Sequence, residues 1–370
     1  MTLFTDDRLA QPAGRRPRRI GWMLLLLALA GTVIFAMVPS PYVIEQPGPV
    51  YDTLGEIQTE DQKTVQVIEI SGAETYPTEG TLDLLTVNLV GNRRSLPSWL
   101  DVAGALLDPS KAVLPLDSVY PPGRTVEQSN EQSSVDMENS QRDAVAAALT
   151  ELGYVLPTTV TVGSIVEGAP ADGLLEKGDV IRTVNGETAD SVAGLRAILA
   201  KTGAGVAVQF AITRAGVELT VPVTPRLSNE TVPAPVVGIA PLISYTFPFE
   251  VTIQLENVGG PSAGQMLALG IIDKLTPGSL NGGEKVAGTG TINVQGAVGS
   301  IGGIRQKLYG ARDAGATWFL APATNCDEVV GHVPSGIRVV AVSTLDDSLD
   351  ALEAIAAGSG TAELPTCSAG

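Results

Sequence analysis

A serine and a lysine, in a chain with almost no histidine, are the residues best suited to hydrolytic chemistry. Ser262 lies in the run GGPSAG at 259–264, and Lys307 ends the run GGIRQK at 302–307. His332 is the only histidine in 370 residues. A Ser-His-Asp triad would have to use it, and a His-Glu-x-x-His zinc site needs two histidines. A serine–lysine dyad is therefore the economical arrangement, and we expect neither a metal ion nor a cofactor.

The serine lies where a strand is predicted to turn into a helix. Residues 249–256 alternate apolar and polar side chains with the period of a half-buried strand, and residues 263–274 are rich in helix formers. Pro261 suits the first turn of such a helix. Free backbone N–H groups at this position would form an oxyanion hole for Ser262. The alternative is that Ser262 only caps the helix.

The lysine shares the apolar face of a second predicted helix. If this helix begins near Gly303, Ile304, Leu308 and Ala311 form one stripe and Lys307 lies within it. Burial would disfavour the charged amine and bring its pKa from about 10.4 toward the ~7–8 that suits a general base. The alternative is a lysine whose stem covers the core while its amine reaches water.

Three runs in order resemble the proteolytic domain of the Lon protease family. They are GGPSAG at 259–264, VAGTG at 286–290 and GAVGSIGGIRQK at 296–307. The resemblance implies that Ser262 is the nucleophile, Lys307 the general base and Thr289 a supporting hydroxyl. Weaker similarity at 78–87 and 137–145 extends it toward the N-terminus. Many Lon enzymes carry an acidic residue just before the serine motif, where this chain has glycine.

The roughly one hundred residues between the two parts of that resemblance have their own pattern. Strands are predicted at 160–166 and 175–186, a short helix at 191–200, and two more strands within 206–223 around Ala215-Gly216. This order resembles a PDZ domain of the bacterial protease type, which binds an extended peptide as an added strand. We expect the groove beside the helix that carries Val192, Leu195 and Ile198, although plain core positions explain these residues equally well. The sequence does not indicate which strand forms the other wall.

The N-terminal region predicts a membrane anchor. Residues 20–38 contain no charge, and as a helix they would span about 28 Å, close to the thickness of a bilayer core. Four arginines precede this run, so the positive-inside rule predicts a cytoplasmic tail and an extracytoplasmic body in a single-pass protein of the cell membrane. A cleavable signal peptide is the alternative, because residues 28–30 (Ala-Leu-Ala) fit a cleavage site. Apolar residues continue past that site, which favours a retained anchor. The four arginines are Arg15, Arg16, Arg18 and Arg19.

Composition excludes several partners. After residue 39 the chain carries 18 basic and 38 acidic residues, a net charge of −20, which argues against nucleic-acid binding. Cys326 and Cys367 lie on the predicted oxidising side of the membrane. The sequence is compatible with a disulfide between them and with two unpaired thiols. No Gly-x-x-x-x-Gly-Lys-Ser/Thr phosphate loop occurs in the sequence, so ATP-driven unfolding is not expected of it.

These observations predict an α+β protein in which a PDZ domain is inserted into a Lon-like proteolytic domain behind one transmembrane helix. The predicted function is a membrane-anchored, ATP-independent serine endopeptidase of exported or membrane-associated proteins. The alternative is a non-catalytic PDZ scaffold that binds partner C-termini at the cell surface. Lon relatives form rings, so a homo-oligomer stays open. The predicted segments are a basic tail (1–19), an anchor (20–39), a first Lon-like part (40–150), the PDZ domain (155–226), a catalytic part (235–357) and a C-terminal tail (358–370).

Overall fold

The computed structural model describes residues 16–59, 61–121, 125–189, 191–228, 233–255 and 258–368. Most of the expected basic tail, including Arg15, therefore lies outside the described residues, as do Glu256, the last residue of the predicted serine strand, and Asn257. The elements before the PDZ domain follow one another in this order: α1 (Arg16–Met37), β1 (Tyr42–Asp52), β2 (Glu56–Gln58), β3 (Thr64–Gln66), β4 (Ile68–Ser71), β5 (Thr81–Val90), α2 (Trp99–Leu106), β6 (Ala112–Pro115), α3 (Leu116–Val119) and α4 (Val126–Glu151).

The middle of the chain is rich in strands and contains one helix. Its elements are β7 (Thr158–Ile165), β8 (Val180–Val184), β9 (Glu187–Thr188), α5 (Val192–Thr202), β10 (Val208–Arg214), β11 (Val217–Val223), β12 (Arg226–Leu227), β13 (Pro235–Val236) and β14 (Ile239–Tyr245).

The last third alternates strands and helices. Its elements are β15 (Glu250–Ile253), α6 (Gly264–Leu275), β16 (Lys285–Gly288), β17 (Thr291–Ile292), β18 (Val298–Gly299), α7 (Ile304–Asp313), β19 (Trp318–Pro322), a 3₁₀ turn (Ala323–Asn325), α8 (Cys326–Val329), β20 (Arg338–Val342) and α9 (Leu345–Ala357).

One six-stranded sheet joins the segments on either side of the middle region, in the order β20-β19-β16-β5-β1-β6. β16 is parallel to β5 and places Val286 opposite Leu82, while β1 is antiparallel to β5 and β6. Residues before 120 and after 285 thus share one hydrogen-bonded sheet. This pairing explains how the resemblance to one proteolytic fold is divided along the chain.

The two faces of this sheet are covered by different helices. Leu82 and Leu84 of β5 belong to the apolar cluster that contains α6 and the second half of α4, whereas the neighbouring Leu85 belongs to the cluster with α7. Successive strand residues point to opposite faces, which accounts for the alternation. The helix after the serine (α6) and the helix with the lysine (α7) therefore lie on opposite sides of the sheet. Their N-terminal ends meet near the end of strand β16.

The middle region forms a separate sheet in the order β11-β10-β8-β7-β14, with α5 packed against it. Strands β7, β8, β10 and β11 and helix α5 match the elements expected for a PDZ domain. β14 differs from the expectation, because the sequence analysis places residues 235–245 in the catalytic part, whereas β14 pairs with β7 over its whole length. The strand contains Pro241, a residue that indicates a loop or an edge in sequence, and here β14 is an edge.

The C-terminal tail is attached by a disulfide bond between Cys326 and Cys367, which resolves the alternative that the sequence left open. The backbone N–H of Ala341 on β20 also donates to the carbonyl of Pro365 in the tail. The bond closes a chain segment with a sequence separation of 41 residues, which corresponds to a stabilisation of roughly 3–4 kcal/mol in the chain-entropy model.

Candidate active site

Three side chains from separate parts of the fold meet where strand β16 ends. Lys307 Nζ lies 2.7 Å from Ser262 Oγ and donates to Thr289 Oγ1 over 2.9 Å. The Thr289 hydroxyl in turn donates to the Ser262 backbone carbonyl, also over 2.9 Å. The structure thus brings together the three residues that the resemblance singled out. The arrangement is a closed triangle of a nucleophile, an amine and a hydroxyl that holds both.

The turn before α6 holds the serine, and the helix does not use it as a cap. The N-cap of α6 is Ala263, which makes no side-chain capping bond, so the alternative that Ser262 merely caps the helix is not what is found. Gly260 has a φ of +83°, a conformation that favours glycine, and its N–H donates to the carbonyl of Ser133 on α4. This bond ties the turn before the half-buried Ser262 to α4.

A second contact from α4 fixes the same turn. The Ser140 hydroxyl donates to the carbonyl of Pro261 over 2.9 Å, and Ser140 is buried. The long helix therefore holds the turn at the N–H of Gly260 and the carbonyl of Pro261, both immediately before the nucleophile. Helix α4 covers the region at 137–145 that resembled the helix preceding the serine strand in Lon enzymes.

Lys307 is buried on α7. Ile304, Leu308 and Ala311 have no exposed surface, and Lys307 is 1% exposed, so its amine does not reach bulk water as the alternative required. Burial lowers the pKa of Lys307 to about 7, and the negative charge of Glu45 partly opposes this effect. The amine is therefore largely neutral in mildly alkaline solution, the state in which it can accept a proton.

Glu45 is a residue near the site that the sequence analysis missed. It lies on β1, beside the N-terminus of α7, where a Cβ built on Gly303 would lie 2.8 Å from Glu45 Oε1. Burial raises the pKa of Glu45, Lys307 lowers it, and Glu328 raises it further. No sequence pattern could reveal this neighbour, because only the sheet brings β1 against α7, more than 250 residues later in the chain.

Backbone donors are also available at the nucleophile. Neither Ser262 nor Ala263 donates its N–H to an acceptor in the part of the chain that the structure describes. Both groups lie at the N-terminus of the 12-residue helix α6, where the helix dipole favours negative charge. An oxyanion formed beside Ser262 would be stabilised by these donors.

Two adjoining cavities lead to the serine. The first has a volume of about 340 Å³ and reaches Ser262 from the side of β1 and β5. The second, of about 510 Å³, runs along α4 and β15. They share the walls formed by Met137, Val258 and Gly259, so together they form one elongated cleft. Apolar side chains that line it include Tyr51, Leu84, Val87, Ile253 and Leu255.

A third cavity, of about 450 Å³, lies in the PDZ domain between α5 and the segment that leads into β14. Val192 and Leu195 line it, as expected. Ile198 does not: it packs into the domain core, because three residues beyond Leu195 the helix surface turns toward the sheet. Arg196 and Leu199 of α5 line the cavity in its place.

The wall opposite α5 is β14, which the sequence did not indicate. Within the described residues, β14 pairs with β7 on one side only, which leaves its other edge open to a further strand. The N–H of Val166, just after β7, donates to the carbonyl of Gly238, so by strand alternation the backbone groups of Ile239 and Pro241 face the open edge. Pro241 has no N–H, which leaves Ile239 as the backbone donor at this end of the edge.

Comparisons with known proteins agree with both parts of this description. Residues 257–354 match the family model of the Lon protease (S16) C-terminal proteolytic domain, and residues 130–224 match that of the PDZ domain. Lon protease 2 of Herpetosiphon aurantiacus is 44% identical over 93 residues, and Lon protease of Clostridium beijerinckii is 39% identical over 93 residues. Each match covers 24% of this chain and 11% of the relative.

Among solved structures, the PDZ domain of an SdrC-like protein from Listeria innocua shares 23% identity, with a TM-score of 0.21. That match covers 22% of this chain and 92% of the other. The chain spans about a tenth of the length of the curated Lon relatives it matches. Within its own length, it combines a Lon-type proteolytic domain, the domain of a serine peptidase family, with a PDZ domain.

Proposed function

We propose that this protein is a membrane-anchored serine endopeptidase that works without ATP and cleaves exported or membrane-associated proteins. The observation that carries the proposal is the 2.7 Å contact between Ser262 Oγ and a lysine amine that is 1% exposed and has a pKa of about 7. A buried lysine with no catalytic task would be costly, since its amine loses hydration without gaining an ion pair.

In the proposed mechanism, Ser262 Oγ attacks the scissile carbonyl carbon while the neutral amine of Lys307 takes the hydroxyl proton. The tetrahedral oxyanion accepts hydrogen bonds from the N–H groups of Ser262 and Ala263. Lys307 then returns the proton to the leaving amine, and an acyl-enzyme forms on the serine. A water molecule, deprotonated by the same lysine, hydrolyses this ester and restores the serine.

Thr289 determines the direction of the lysine lone pair. The threonine proton is committed to the carbonyl of Ser262, so its oxygen can only accept from Lys307. One N–H of the neutral amine is thereby held, and the lone pair is free to face Ser262 Oγ. Thr289 is fully buried, which keeps competing water away from this contact.

The two clefts suggest how a substrate is taken up. The cleft at the serine is lined by apolar side chains near β5 and by polar side chains along α4, which fits an extended chain of mixed composition. The free edge of β14 beside α5 fits a peptide that adds as a strand, with Val192 and Leu195 beneath its terminal side chain. Binding there would hold a polypeptide to the enzyme at a point remote from the scissile bond.

The location rests on α1. It is the one helix in the described part of the chain that is long and apolar enough to cross a bilayer, with a mean hydropathy of 2.3 over Ile20–Met37, and a signal sequence would pass the same test. Preceding arginines and a disulfide both favour an anchored protein whose body lies on the oxidising side. The absence of a phosphate-loop motif in the sequence supports independence from ATP.

A serine-reactive fluorophosphonate probe tests the proposal. We expect the purified full-length protein to be labelled at Ser262 and to hydrolyse an unstructured peptide, and Ser262→Ala to lose both properties. Ser300→Ala is the matched control, because Ser300 is an exposed serine in the same domain. If the folded wild-type protein neither labels nor cleaves across neutral and alkaline pH, the non-catalytic PDZ scaffold is the better description.

A further inference from the structure

The exposed apolar face of α2 lies beside the end of the candidate membrane helix. Leu100, Leu106 and Leu107 are 47%, 71% and 87% exposed, although the helix is only eight residues long. At about 100° per residue, these three leucines fall on one arc with Trp99 and Ala103, while the buried Val102 and Ala105 face the domain. Large apolar side chains grouped in this way on a surface indicate a contact that is absent from the isolated chain.

The same face carries the contact to α1. The ring of Trp99 lies 6.4 Å from that of Phe35, in the last turns of α1, and 5.8 Å from that of Tyr42. The acidic Asp101 lies away from this arc and is used in the capping box at Ser98. The exposed leucines and the ring that contacts the anchor helix therefore share one side of α2.

Backbone bonds join α1 to the domain with no free linker. The N–H of Trp99 donates to the carbonyl of Val38, the N–H of Ser40 donates to the carbonyl of Pro97, and Pro39 pairs with Ser98 as a β-bridge. The position of α1 in a bilayer therefore also determines the position of α2.

The length of α1 places this junction at the edge of the hydrocarbon. The apolar window Ile20–Met37 has 18 residues and measures about 27 Å as a helix, close to the ~30 Å of a bilayer core. Phe35 then lies at the outer boundary of the core, and Trp99 lies at the level where aromatic side chains collect.

We propose that α2 is a membrane-contacting helix: the face formed by Trp99, Leu100, Ala103, Leu106 and Leu107 inserts into the interfacial layer of the same bilayer that α1 crosses. The partner is the apolar part of the lipid, because the arc carries no basic residue that would bind headgroup charge and the body of the chain is strongly acidic. The contact gives the catalytic domain a defined orientation on the membrane, and it rests on the proposed anchoring by α1.

Spin-label accessibility in the full-length protein, reconstituted in phosphatidylcholine nanodiscs, tests this contact. Both natural cysteines are in the disulfide, so a single introduced cysteine is the only free thiol. The labelled variants are Leu106→Cys and Leu107→Cys on α2, with Leu27→Cys as the reference within α1. Val217→Cys is the matched control, since Val217 is 59% exposed on the PDZ domain. Retained peptide hydrolysis shows that each variant is folded.

The measured quantity is the ratio of the label's collision rate with oxygen, which concentrates in lipid, to its collision rate with a water-soluble nickel chelate. We expect this ratio to be high at positions 106 and 107, as at position 27, and several-fold above the ratio at position 217. A ratio at 106 and 107 equal to that at 217, with position 27 in lipid, overturns the α2 contact and leaves the anchor intact. Low collision with both reagents, together with spin–spin coupling between copies, overturns it in favour of a second copy of the chain. If the label at position 27 collided mainly with the nickel chelate, α1 would lie in water, and both the anchor and the α2 contact would be refuted.

Discussion

The proteolytic domain and the PDZ domain present their sites in different ways. At the catalytic site, three side chains interact with one another, and each is positioned by a motif of small residues. At the PDZ cavity, the proposed recognition element is a backbone edge, β14, and side chains from α5 line the opposite wall. A site made of side chains leaves a signature of residue types, whereas a site made of backbone leaves almost none. Activity at the catalytic site should therefore change when a single functional group is replaced. Binding at the PDZ cavity should change when its shape or its accessibility is altered.

The largest expected effect is at Lys307. Lys307→Met should lower peptide hydrolysis by about ten-thousand-fold, since the serine loses its general base, and Lys307→Arg should fail as well because a guanidinium keeps its proton. Lys274→Met is the matched control: burial also lowers the pKa of Lys274, but its amine bonds Gln66. Initial rates and circular dichroism of the three variants check this. Substantial hydrolysis by folded Lys307→Met would remove the dyad from the account.

Thr289→Val should lower kcat by about a hundredfold, because the lysine lone pair is no longer held toward Ser262. Thr289→Ser keeps the hydroxyl and should recover most of the rate. The pair separates the bond from the volume of the side chain. Equal activity of the valine and serine variants would mean that packing, and not the hydroxyl, is what Thr289 contributes.

Val192→Glu tests the groove. A charge at the wall of the PDZ cavity should reduce kcat/KM for an unfolded protein such as casein by roughly tenfold, the equivalent of about 1.4 kcal/mol of lost binding, and leave hydrolysis of a short fluorogenic peptide unchanged. Val217→Glu, on an exposed strand of the same domain, is the control. Loss on both substrates, with folding intact, would assign the PDZ domain a structural role.

The smallest expected effect is at Glu45. Its negative charge raises the pKa of Lys307, so Glu45→Gln should lower that pKa further and shift the rise of kcat/KM to lower pH. The variant should be several-fold more active than wild type on the acidic side of the profile and equal to it on the alkaline plateau. A shift toward higher pH would contradict the electrostatic role of this residue.

The same contrast explains which features could be predicted from sequence. Ser262 and Lys307 are found because a glycine-rich turn and a helical stripe identify their surroundings within a few residues, and Thr289 is found through the resemblance to the Lon family. Glu45 is missed because its closeness to α7 depends on pairing across the sheet. β14 and the position of Ile198 are missed for a related reason, since the free edge and the exact face of α5 depend on how distant strands pack.

The pH dependence of kcat/KM for a short peptide, measured with the full-length protein, tests the central claim most directly. Lys307 accepts a proton only when neutral, and burial lowers its pKa to about 7, so the rate should fall as the pH decreases through about 7 and reach a plateau above it. Nucleotides and chelators should leave the profile unchanged. A rate that does not change through neutral pH, or that rises only near the ordinary lysine pKa of about 10.4, would contradict a buried neutral lysine as the base.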